Sequence, residues 1–163
     1  MQPQIATPAT DSSSSRDVSL YRWEAVTRRA ITVTRDVGTD AALADYENAL
    51  SMARQLVDAP PPGRADDCVA AFVVSHHNLA DLQLGSGDLD GAADHLCQAH
   101  EALITLMLDV DQPTAVRQAA LHHSRQTHLA LVSHVAQHGP HARITDALRA
   151  GCLAFNAGSP ARQ

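Results

Sequence analysis

Hydrophobic positions recur at spacings of three and four along most of the chain, and glycine and proline interrupt them at intervals. Leu20, Trp23, Val26, Ala30 and Val33 form one stripe of a helix predicted from Asp17, a good N-cap residue, to about Val37. Gly38-Thr39-Asp40 breaks it. Leu43, Tyr46, Leu50, Ala53 and Leu56 then mark a second helix from about Ala41 to Val57. Ala59-Pro60-Pro61-Pro62-Gly63 is the sharpest stop, because proline lacks the N–H a helix needs and clashes with the preceding turn.

A third helix is predicted over about Ala65 to Leu84, followed by the turn Gly85-Ser86-Gly87. Asp88 should cap a fourth helix whose stripe is Leu89, Ala92, Ala93, Leu96, Leu103 and Met107. His100 falls on that stripe and is expected to be buried. Asp111 as a cap and Pro113 in the first turn open a fifth helix to about Gln137. Gly139-Pro140 ends it, and a sixth helix covers about Ala142 to Phe155. The expected fold is all-α: about six helices in three antiparallel hairpins, stacked as a short solenoid or bundle over residues 17–155. The Ser- and Pro-containing segment 1–16 should be a disordered tail, and residues 156–163 should fray.

Composition sharpens this picture. Hydrophobic residues make up 45% of the chain but aromatics only 3%, so the core must be built from Ala, Leu and Val, which suits close-packed helices. The formal net charge is −6 and the arginines are scattered, which argues against a nucleic-acid-binding surface. Lysine is absent, a bias that points to a GC-rich bacterial genome. Cys68, Cys97 and Cys152 form no CxxC pair and read as small buried hydrophobes of a reducing compartment. No basic segment leads into an apolar one at the N-terminus, and no apolar run nears the ~20 residues that span a bilayer. A cytoplasmic protein without a membrane partner is expected.

The three hairpins recur about every fifty residues, and the middle one carries a motif. Leu79, Ala80, Gly87, Ala92, Leu96 and Ala99 stand at the spacing of the tetratricopeptide repeat, with His76 at its tryptophan position and Gln83 at its tyrosine position. The hairpin resembles that family, most closely here and more loosely in its neighbours. The resemblance implies a concave face lined by the first helix of each hairpin, where a partner's peptide lies. It also implies a role for Asn78, since family members that grip peptides often bond the ligand backbone from the residue before the motif leucine. His77 and Asp81 would flank it. The bland alternative places Asn78 on a solvated helix face. The family's basic clamp for a terminal carboxylate is not evident around Asn78.

Ten histidines are the oddest feature, all lying between His76 and His141. His134 and His138 sit one helical turn apart and His141 follows the Gly139 turn, a spacing at which neutral imidazoles bind zinc, nickel or copper. No carboxylate lies nearby in sequence, and histidines favoured at a helix C-terminus explain the cluster equally well. A second set comprises His76, His77, His122, His123 and His128. His76 and His128 occupy equivalent places in the second and third hairpins, which would set the third and fifth helices side by side. These are packing histidines or an inter-helix metal or proton-sensing site.

No nucleophile elbow, phosphate loop, HExxH or dinucleotide fingerprint is present. The sequence therefore predicts a non-enzymatic scaffold that binds a protein or peptide, with a homodimer left open and no cofactor. The alternative is a histidine-dependent metal-binding accessory protein using zinc, nickel or copper.

Overall fold

The structure, a computed structural model, describes residues 11–157. It contains six helices and, among the described residues, no strand: α1 (Asp11–Asp36), α2 (Thr39–Asp58), α3 (Ala65–Gly85), α4 (Leu89–Leu108), α5 (Thr114–His138) and α6 (Ala142–Ala157). Each helix packs on the next, α3 also lies along α5, and α4 lies along α6. Three antiparallel hairpins are thus stacked in chain order. No helix is long and apolar enough to cross a membrane.

Small residues make this stacking possible. Ala30, Ala42, Ala53, Ala92, Ala93, Ala99 and Ala120 are fully shielded at helix contacts, and Leu79, Leu103, Leu131, Ile144, Val69 and Val73 fill the space between. One apolar cluster joins α1 to α5 around Phe72 and Leu103, and a second joins α3 to α6 around Leu96, Leu131 and Ile144. Trp23 Nε1 donates to Ser75 Oγ at 2.9 Å, tying α1 to α3. The Ser75 hydroxyl donates in turn to the Ala71 carbonyl.

The α3–α4 turn shows how local chemistry closes a hairpin. Asp88 N–H reaches the Gln83 carbonyl and Gly87 N–H the Leu84 carbonyl, the paired bonds of a Schellman end. Gly87 holds φ +82°, which a side chain would disfavour. Asp88 then caps α4, its carboxylate accepting from Gly91 N–H at 2.8 Å.

Several boundaries differ from expectation. α1 starts at Asp11 rather than Asp17, so residues 11–16 are helical; serine costs a helix only about 0.5 kcal/mol relative to alanine, too little for Ser12–Ser15 to block it. The rest of the expected N-terminal tail, residues 1–10, lies outside the described residues, as do residues 158–163. Asn156 and Ala157 belong to α6. Asp111 does not cap α5: Pro113 is the N-cap, and its carbonyl accepts from Val116 and Arg117 N–H. Leu43 and Leu89 leave their stripes and are 36% and 42% exposed, because the contact is made by the smaller Ala42 in α2 and by Ala92 and Ala93 in α4.

Candidate functional site

α3 and α5 lie side by side, and their contacts keep a steady register. Asp66 of α3 meets His122 of α5, 56 residues further on. Near the other end of the pair, His77 and Asp81 of α3 share one hollow with Ser133, His134, Gln137 and His138 of α5. Leu84, Leu96 and Ala130 complete its wall, and its volume is about 250 Å³. The two residue sets that sequence spacing singled out separately, His77 with Asp81 and His134 with His138, are therefore one site.

The hollow is rich in acceptors. Burial holds the His77 imidazole below its usual pKa, against the pull of Asp81, so the ring is neutral at pH 7. His134 is held low by burial, then by His138 and His141. His77 Nε2 and His134 Nδ1 are each shut off from solvent and have no hydrogen-bond partner among the described residues. Asp81 is exposed, and no arginine lines the hollow.

Asn78 behaves differently from its neighbours. It is half-buried, does not line the hollow, and its Nδ2 is enclosed without a hydrogen bond. Helical rotation of about 100° per residue separates it from the face that His77 and Asp81 share.

His134, His138 and His141 do not close into a ligand set. His134 is buried, its ring centroid is 4.8 Å from that of His138 and 6.5 Å from that of His141, and His141 Nε2 is engaged by Asp90 Oδ1 at 3.1 Å. That carboxylate is 51 residues away and was invisible to local spacing. Among the described residues, the side chains whose ligand atoms do gather, within 4.8 Å of one another, are Asp66, His122 and His123. His122 Nδ1 lies 3.0 Å and His123 Nε2 3.2 Å from Asp66 Oδ1. The hydrogen bond from His122 is the largest influence holding the Asp66 carboxyl below its usual range.

The remaining histidines are interior. His76 Nδ1 lies 3.3 Å from His95 Nδ1, so one ring donates and the other accepts. Burial, reinforced by His95, pushes His76 down to about 3. His100 is fully buried and its Nδ1 lies 2.9 Å from Thr127 Oγ1. The Thr127 hydroxyl already donates to the Ser124 carbonyl, so it accepts from His100, which fixes the proton on Nδ1. Burial, then His128, pushes His100 down to about 4. As the stripe predicted, His100 is a core residue.

Comparison with known proteins gives one match. A family model described as "Protein of unknown function (DUF2753)" matches residues 21–163. No curated protein and no solved structure matches significantly.

Proposed function

The chain belongs to the DUF2753 family of unknown function, and we propose that it is a non-enzymatic scaffold that grips a partner protein through the α3–α5 hollow. The observation that carries this reading is the meeting of His77, Asp81, His134 and His138 in one small acceptor-rich recess. A recess of about 250 Å³ falls below the ~300–1,000 Å³ of ordinary small-molecule sites. It suits one side chain of a larger partner better than a free substrate. One carboxylate and two neutral imidazoles ask for a donor, so the anchor is a basic side chain. The net charge of −6 favours the same kind of partner.

The tetratricopeptide-like motif of the middle hairpin supports the reading, since in that architecture the first helices of successive hairpins line the ligand face. α3 and α5 are those helices. The proposed setting is cytoplasmic.

The test is affinity capture from the native lysate with wild-type protein and with Asp81→Asn, followed by binding measurements on basic peptides cut from the captured protein. Asp81→Asn should weaken binding by about tenfold or more, as loss of a central anchor contact does. Equal affinity in Asp81→Asn and His77→Ala would overturn the assignment. Asn78→Ala separates its two roles: lower thermal stability with unchanged affinity makes it a packing residue.

A further inference from the structure

The far end of the α3–α5 pair carries a second polar cluster that peptide binding does not use. Asp66 stands in the first turn of α3, just after the Pro60–Gly63 stop, and His122 and His123 stand in α5. The eleven residues from Asp66 to His77 correspond to about 16 Å along α3, so this cluster is separate from the recess. Consecutive helical residues normally diverge by about 100°. Here both imidazoles nevertheless reach the same carboxylate oxygen, at 3.0 and 3.2 Å.

We propose that Asp66, His122 and His123 form a divalent transition-metal site that pins the start of α3 to the middle of α5. The proposal stands independently of the peptide-binding reading.

Ligand atoms about 2.0–2.1 Å from zinc are about 2.9–3.4 Å from one another, depending on whether they subtend an octahedral or a tetrahedral angle. Both observed separations fall in that range. Alignment distinguishes the two histidines. His122 Nδ1 makes a directed hydrogen bond to Asp66, whereas His123 Nε2, at 3.2 Å, is buried and lacks the alignment of one. A hydrogen bond points a ring nitrogen at the oxygen itself. Coordination points it at a shared centre beside the oxygen, as His123 does.

Two imidazoles and a carboxylate, without a thiolate, suit zinc, nickel or copper and not the all-oxygen shells of calcium or magnesium. Three protein ligands leave further positions to water. Those positions would face the adjoining hollow of about 390 Å³ formed by Gly63, Ala65, Ala115, Gln118 and Ala119 along with Asp66 and His122. Asp66 and His122 are exposed, so an ion reaches the site without unfolding.

The experiment titrates Zn²⁺ into untagged, metal-stripped protein, following heat by calorimetry and the histidine ring signals by NMR. Wild type should bind one ion saturably, with the His122 and His123 signals shifting first, and its Tm should rise. Asp66→Asn, which keeps the side chain's size, should weaken binding about 10- to 100-fold. The double variant His122→Ala/His123→Ala should abolish it, and His134→Ala/His138→Ala should leave it intact. The proposal fails if wild type shows no saturable binding. It also fails if Asp66→Asn binds as wild type does, or if the first signals to shift are those of His134, His138 or His141. The NMR readout on wild type decides the matter even if a variant misfolds.

Discussion

Acid should destabilise this protein well above the pH at which carboxylates titrate, and the two deepest histidines set the size of the effect. In the folded chain His76 titrates at about 3 and His100 at about 4, both pushed down mainly by burial. In the unfolded chain both return to about 6.5. Below that value the unfolded state takes up protons that the folded state refuses, so stability is full above about pH 6.5 and falls as pH drops. The loss levels off only once pH passes through the folded values. At about pH 5 the penalty depends almost entirely on the unfolded pKa and comes to about 2 kcal/mol per histidine, or about 4 kcal/mol for the pair. His77, His95 and His134 are also shifted downward and add to the loss with the same sign. Against a typical domain stability of about 5–15 kcal/mol, the loss is large.

Urea denaturation at about pH 7.5 and about pH 5 measures it directly, through the shift in midpoint at constant slope. His100→Asn keeps a donor for Thr127 but cannot take a proton, so it should remove roughly half of the His76–His100 loss while lowering stability at neutral pH. A wild-type stability that changes by less than about 1 kcal/mol between the two pH values would refute the reasoning. The imidazoles would then have routes to water that their burial denies.

Two further outcomes follow from close contacts. Alanine in place of glycine usually strengthens a helix by about 1 kcal/mol, but Gly151→Ala should destabilise this one by about 1–3 kcal/mol. A Cβ at Gly151 would stand 2.6 Å from Nε2 of the fully buried His100, whose ring is held by Thr127. A higher Tm in Gly151→Ala would show that the ring can swing aside. Asp88→Ala removes the carboxylate that caps α4 through Gly91 N–H and should cost about 1 kcal/mol in thermal or chemical denaturation.

The sequence by itself determined what depends on neighbours along the chain. Six helices, their breaks, the Asp88 cap and the burial of His100 all follow from spacing, propensity and turn chemistry, which act within a few residues. Spacing also sets the direction a side chain faces on its own helix. It says nothing of how far one helix is displaced along another, and that displacement is what builds the sites. At 1.5 Å per residue, a slide of one turn would carry Asp66 past His122 and His123 and would part His77 from His134. The tertiary structure fixed the register through the alanines that let α3, α4 and α5 approach and the leucines that interlock between them. That register supplied His141 with Asp90, drew the Asn78 amide into the packing, and gathered a carboxylate and two imidazoles from opposite sides of a 56-residue gap. Contacts of that range are made by packing whole helix faces, so no local pattern in the chain encodes them.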